Sequence, residues 1–279
     1  MSDAWNGLLA APADERIYYL YEQVYWELPR HKEIVEVMEW RFSLPPSDRP
    51  RSVVITGESG MGKTSVLREM LARHPAKRDK ESGQLLKPVL YFEMPLLPGP
   101  ERLIEEALSK AGYPVEARNT ATLCDYFERQ VPAVEPCLVL VDEAQRANHV
   151  TPRGAGRQCF EVLKWFGMVL QCPVVVAGTG EIMEHFKRDN QLGRRFQHFD
   201  MPLWKTGKPL ASYMQAIMAN MPLRDGYESI ICDSEDFLDA YLKKTDRTTG
   251  GILSRAQDTV RQALKAGREY LSAADLLKD

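Results

Sequence analysis

Several things this 279-residue chain lacks narrow the field first. It has no apolar run approaching the roughly 18 residues of a membrane-spanning helix. The longest, such as Cys137 to Val141 and Pro173 to Ala177, stop far short. Its first residues, Met1-Ser2-Asp3-Ala4-Trp5, lack the basic start and apolar stretch of a signal peptide. No membrane association is expected, and the expected location is the cytoplasm. Cysteine is scarce: Cys124, Cys137, Cys159, Cys172 and Cys232 include no Cys-x-x-Cys pair and leave one odd. That argues against a disulfide framework and against zinc. Nor is either charge in large excess, with 36 Lys and Arg against 39 Asp and Glu and a net charge of −3. A globally basic nucleic-acid binder is not expected, although local basic patches remain open. Repeats and low-complexity tracts are also missing.

The composition that remains, 44% apolar and 27% charged, is that of an ordinary globular protein. The length fits about two domains, or one large α/β unit with an appendage. Four short apolar runs alternate with helical patterns: Arg51 to Gly57 before Lys63–Arg73, Pro88 to Glu93 before Pro100–Ala111, Cys137 to Asp142 before Gln158–Leu170, and Pro173 to Gly178 before Glu181–Arg188. Continuous Val/Leu/Ile runs fit strands covered on both faces, as in parallel sheets. The alternation predicts right-handed crossovers and a three-layer αβα sandwich, with a fifth strand near Phe199 to Leu203. After Trp204 the pattern turns helical, over 209–221, 234–244, 253–267 and 272–278, with Ser234 and Ser272 as N-cap candidates. Asp14 to Phe42 is also read as mostly helical, and Lys77 to Gly83 as a charged, exposed loop. The expected organisation is an N-terminal helical segment (1–48), an α/β core (49–205) and a small all-helical C-terminal domain (206–279).

The strongest chemical signal is Gly57, Glu58, Ser59, Gly60, Met61, Gly62, Lys63, Thr64 and Ser65, a phosphate-binding loop pattern (Walker A) entered by a strand and left by a helix. The glycines let successive backbone N–H groups turn inward toward phosphate oxygens, and the helix N-terminus adds positive charge there. Lys63 suits the β- and γ-phosphates, and the Thr64 hydroxyl suits Mg²⁺. Next comes Leu138-Val-Leu-Val-Asp142-Glu143 (Walker B). Asp142, at the end of a buried strand, suits the metal through its water shell, and Glu143 suits a general base polarising the attacking water. Alone, two adjacent acids would equally cap a helix; the upstream loop favours the chemical reading. Thr179, closing the fourth run, is a polar group suited to a place between that glutamate and the γ-phosphate. Arg194 and Arg195, just before the fifth strand, carry rigid guanidinium forks suited to stabilising phosphate charge, from a neighbouring subunit. Arg255, in a helix of the C-terminal region, is a candidate to report nucleotide state, or else a local salt-bridge partner.

These elements, in this order, resemble the layout of an AAA+ ATPase. Val139-Leu-Val-Asp-Glu-Ala-Gln145, the stretch from Val176-Ala-Gly-Thr-Gly180 through Asp189-Asn-Gln-Leu-Gly-Arg-Arg-Phe196 to Met201-Pro-Leu-Trp204, and the upstream Glu15-Arg-Ile and Pro29-Arg30 narrow the resemblance to the TniB/TnsC group of transposition regulators. The likeness runs from about residue 15 to about residue 265. It implies a P-loop AAA+ fold, binding of ATP and Mg²⁺, and ATP hydrolysis. It also implies assembly into a ring or helical filament on double-stranded DNA without sequence preference. The partners it implies are a transposase and a target selector, either TniQ-like or an RNA-guided effector. By the same likeness Lys63 and Thr64 bind nucleotide and metal, Asp142 assists the metal, Glu143 is the base, and Thr179 is the first sensor. Arg195 or Arg194 is the finger in trans, and Arg255 the second sensor.

In such a filament the segment after the second strand faces DNA. Here that points to Arg102 and Thr122, a stretch poor in positive charge because Glu101, Glu105 and Glu106 surround Arg102. The alternative carriers are Arg146, Arg153 and Arg157. Such contacts would touch phosphates and position the protein without reading sequence. Two other functions compete: an AAA+ replication initiator or loader, which would favour a winged-helix reader after the lid, for which the sequence up to Asp279 leaves no room, and a nucleotide-binding signalling switch with little turnover.

Overall fold

The computed structural model describes residues 3–21, 28–115, 119–149 and 155–278. Arg153, and residues 22–27 of the stretch read as helical, lie outside them. Residues 29–201 form one compact unit; residues 1–28 and 202–279 form a second.

The first unit is built on five parallel strands, β1 (Ser52–Gly57), β2 (Val89–Glu93), β3 (Leu138–Asp142), β4 (Val174–Gly178) and β5 (Phe196–Met201), in the order β2-β3-β4-β1-β5. Every residue of β1, β3 and β4 is buried, as their unbroken Val/Leu/Ile runs require of strands with both faces covered. On one face Val54, Leu90, Phe92, Val139, Val141, Val174 and Val176 share a core with helices α3 (Pro100–Ala111), α4 (Thr120–Gln130) and α5 (Ala155–Leu170). Phe127 stacks on Phe166 at 4.5 Å within that core. The other face is covered by α2 (Lys63–Arg73), which lies against β1 through β4, with α1 (Pro29–Phe42) packed beside it. Val66, Leu67 and Met70 of α2 and Ile34, Val35 and Met38 of α1 are buried to 2% exposure or less. The result is a three-layer αβα sandwich of the expected class.

The fifth strand differs from expectation, as does the C-terminal region expected to be all-helical, where Gly226–Tyr227 pairs in parallel with Tyr270–Leu271. The fifth strand begins at Phe196 rather than Phe199, immediately after the paired arginines. It lies at the sheet edge and buries Phe196, Phe199 and Met201 but not Gln197, His198 or Asp200. An edge strand of that kind carries no continuous apolar run to announce it. Helix α4 follows Asn119, whose side chain accepts the Thr122 N–H at 2.9 Å as an N-cap. Thr122 therefore sits in a helical first turn. The Lys77–Gly83 loop is exposed as expected, and its ends pair as a short ribbon, Lys77–Arg78 against Leu85–Leu86.

In the second unit, helices Lys208–Ala219, Glu235–Lys243 and Thr249–Lys265 bury Leu210, Met214, Ile217, Leu238, Tyr241, Ile252, Ala256 and Val260 together. Ser234 and Ser272 both act as N-caps, and Ser272 forms a full capping box with Asp275. The Ala13–Leu20 helix belongs here because Arg16, 2% exposed, donates to Glu269 through Nη1 and Nη2 at 2.6 Å each and to the Pro222 carbonyl through Nη1 at 2.9 Å. The packing thus cuts the chain near 28 and 201, whereas composition suggested 48 and 205. The reason is that α1 buries its apolar face on α2, while the helix before it joins the C-terminal helices. Among the described residues no helix is long and apolar enough to cross a membrane.

Candidate functional site

The loop from β1 into α2 turns through two left-handed glycines, Gly60 (φ 82°) and Gly62 (φ 92°). At Gly62 the freedom is also spatial: a Cβ there would lie 2.6 Å from His31 Cε1 of α1. His31 is buried, and its Nε2 lies 3.1 Å from the Met61 carbonyl, so α1 braces the loop from behind. Glu58, Ser59 and Gly60 are exposed on the loop, and Ser65 is exposed in the first turn of α2. The Lys63 ammonium is buried and donates to the Gly57 and Glu58 carbonyls at 2.8 and 2.9 Å. Burial lowers its pKa, and the charges of Asp142, Glu143 and Glu58 oppose that shift.

Thr64, the next residue, reaches across the sheet. Its hydroxyl donates to Asp142 Oδ2 at 2.6 Å. Asp142 is 2% exposed at the end of β3, and its other oxygen accepts the Glu143 N–H at 2.8 Å, so the buried carboxylate is hydrogen-bonded on both oxygens. The Tyr91 hydroxyl of β2 lies 3.5 Å from Asp142 Oδ2, and its pKa is pushed up to about 12, by burial first and then by the charges of Asp142 and Glu93. A hydroxyl and a carboxylate this close form a hard-oxygen donor pair of the kind Mg²⁺ takes.

Glu143 itself has a left-handed backbone (φ 56°), uncommon for a residue with a side chain. Its carboxylate accepts from Gln145 Nε2 at 2.7 Å and lies 4.0 Å from the Arg146 guanidinium. Gln145 Oε1 in turn accepts the Thr179 N–H at 3.3 Å. The Thr179 hydroxyl oxygen is buried with no hydrogen-bond partner among the described residues. Lys63, Thr64, Asp142, Glu143 and Thr179 are thereby gathered at the carboxyl ends of β1, β3 and β4, where open α/β sheets hold their ligands.

The other residues singled out in the sequence are dispersed. Arg194 is exposed and Arg195 half-buried at the end of helix α6 (Asn190–Arg195), and among the described residues neither takes a hydrogen bond or ion pair. Arg255 lies in the second unit, where its guanidinium bonds the Leu276, Lys278 and Lys244 carbonyls. Arg102 is exposed on the first turn of α3, Thr122 bonds Asn119, and Thr120 bonds Glu101. Arg146 is engaged by the Met94 carbonyl at 2.6 Å and Glu93 at 3.0 Å, so it buttresses the strand ends. Sequence reasoning gave no role to Gln145, Tyr91 or His31. Each earns its place only through residues far along the chain, at Thr179, Asp142 and Met61.

Comparison with solved structures finds the same fold elsewhere. ORC2 of Aeropyrum pernix, described in ADPNP–ADP complexes, aligns with a TM-score of 0.67 at 15% identity over 93% of this chain and 70% of that one. Drosophila ORC bound to DNA aligns with a TM-score of 0.61 at 14% identity over 95% of this chain and 64% of that one. A Walker-type ATPase of Pyrococcus abyssi aligns with a TM-score of 0.51 at 13% identity over 92% and 71%. The fold is that of the P-loop AAA+ ATPases. No curated protein matches the sequence. The family model for the bacterial TniB protein matches residues 16–206, most of the chain, and the chain belongs to the bacterial TniB family.

Proposed function

We propose that this chain is an ATP-dependent regulator of DNA transposition. It binds ATP with Mg²⁺, assembles as a homo-oligomer on double-stranded DNA, links a target selector to the transposase and hydrolyses the nucleotide. The single observation that carries the nucleotide chemistry is the 2.6 Å hydrogen bond between Thr64 and Asp142, with Lys63 and Glu143 beside it. Family membership carries the link to transposition.

Lys63 binds the β- and γ-phosphates, and the backbone N–H groups of Gly60 to Thr64 hold the phosphate oxygens. Thr64 and Asp142 would hold Mg²⁺, which would supply positive charge against the phosphates. Glu143 orients the attacking water and takes its proton. The unpartnered Thr179 hydroxyl meets the γ-phosphate or that water. Arg195 or Arg194 acts on the nucleotide of a neighbouring copy. Contact with DNA falls to exposed groups such as Arg102, individually weak and summed over many copies.

The test is the purified protein with duplex DNA, imaged by electron microscopy with a non-hydrolysable ATP analogue and, separately, with ADP. Assemblies on DNA are expected with the analogue and not with ADP. Monomers in both would sink the reading. Steady-state phosphate release from wild type and Glu143→Gln separates a hydrolase from a switch, because a switch shows little difference between them.

A further inference from the structure

We infer that Gln145 is a positioning residue that ties the water-activating carboxylate of Glu143 to the main chain of Thr179, so that the end of β4 governs the base. The inference rests on the hydrolase reading above and assigns Gln145 a part in it.

The geometry leaves the amide one orientation. A carboxylate requires a donor and a peptide N–H requires an acceptor, so Nε2 faces Glu143 (2.7 Å) and Oε1 faces Thr179 (3.3 Å). Both ends of one side chain are thus spent on two residues that flank the same phosphate position. The seat is also shaped for it: a Cβ on Gly178 would lie 2.9 Å from Gln145 Oε1 and 3.2 Å from its backbone nitrogen, so glycine there lets the amide lie against β4. Glu143 leaves β3 with a left-handed backbone, which turns its side chain back toward this amide. Thr179 adds the remaining part, a buried hydroxyl with no partner among the described residues.

Taken together, these contacts form a relay. When the Thr179 hydroxyl engages a γ-phosphate, the adjoining N–H and the Gln145 amide it holds are fixed in place, and Glu143 is fixed with them. Loss of the phosphate frees all three. Arg146, 4.0 Å from Glu143 and bonded to Glu93, Lys63 from the glycine-rich loop and Asp142 are the charged groups around the same carboxylate. Among the described residues none of these charged groups hydrogen-bonds Thr179, which leaves the amide to make that link.

The test is a double-mutant cycle on ATP turnover with Glu143→Gln, Gln145→Ala and Gln145→Glu. Gln145→Glu keeps the volume and the acceptor for Thr179 N–H and loses the donor to Glu143. Each Gln145 variant is expected to retain Mg-ATP affinity within about twofold by calorimetry and to lose kcat by about tenfold or more, with KM little changed. In the Glu143→Gln background a Gln145 change is expected to cost nothing further, because the residue acts through Glu143. Additive losses, or wild-type kcat in Gln145→Glu, overturn the inference while the hydrolase reading stands. Turnover insensitive to Glu143→Gln overturns the hydrolase reading and the inference with it. Poor folding of Gln145→Ala is checked by its melting temperature, and the isosteric Gln145→Glu then carries the decision.

Discussion

At the scale of single residues, Lys63 and Glu143 belong to one cluster of charges yet differ in what their loss should do. Lys63 is a buried cation whose pKa is lowered by desolvation and supported by the charges of Asp142, Glu143 and Glu58, and the proposed function has it meet anionic phosphate. Lys63→Ala should therefore reduce Mg-ATP affinity by two orders of magnitude or more, measured by calorimetry. Glu143→Gln keeps the shape and an acceptor for Gln145, so binding should survive within a few-fold while phosphate release falls about a hundredfold. Equal loss of binding in both variants would contradict the roles assigned. Gly62 offers a purely steric test. An alanine there would be held at φ 92° with its methyl 2.6 Å from the His31 ring, so Gly62→Ala should cost roughly 1–3 kcal/mol in thermal or denaturant unfolding. Adding His31→Ala removes the clash and leaves the backbone strain. A Gly62→Ala protein as stable as wild type would mean the loop is not braced by α1.

At the scale of elements, the caps carry a pH signature. Asp275 closes the Ser272 capping box and pairs with Arg268 and Lys278 at 2.8 Å each. Burial raises its pKa, but the hydrogen bonds from Lys278, Arg268 and Ser272 outweigh burial and hold the carboxyl well below its usual range. A carboxyl depressed in the folded state contributes stability above its unfolded pKa of about 4, lost progressively as pH falls further. Asp275→Asn should therefore destabilise by about 1–2 kcal/mol at pH 7, a figure kept small because Lys278 and Arg268 are exposed. The difference from wild type should narrow below pH 4 in denaturant titrations, and a gap that widens there would refute the linkage.

The same scale shows what the sequence made legible. β1, β3 and β4 could be read because buried parallel strands are continuous apolar runs, and Lys63, Thr64, Asp142 and Glu143, which the fold brings together, stood out as candidates because their pattern is spelled within a few neighbouring residues. The start of β5 could not, since an edge strand buries only some of its side chains. Gln145 was missed for a different reason: its meaning depends on Thr179, which only the pairing of β3 with β4 brings near.

At the scale of the whole molecule, the proposed function makes one copy's site depend on another. Arg194 and Arg195 end α6 just where β5 begins, and among the described residues neither guanidinium has an internal partner. Two arginines left without partners among the described residues, at the end of a helix leading into the edge strand, are free to meet an anion brought by a neighbour. If the neighbour's nucleotide is that anion, binding and turnover separate. Arg195→Ala should bind Mg-ATP as the wild type does, while its phosphate release should no longer rise with protein concentration. Complementation sharpens the test. Lys63→Ala should hold nucleotide poorly but keeps its arginines, whereas Arg195→Ala should hold nucleotide and lacks one of them. Mixed, the first should supply the guanidinium to the site of the second, and turnover should exceed the summed activity of the separate variants several-fold. A mixture no more active than that sum, with Arg195→Ala alone at wild-type turnover, would move the role to Arg194, and the same mixing with Arg194→Ala would then show the gain.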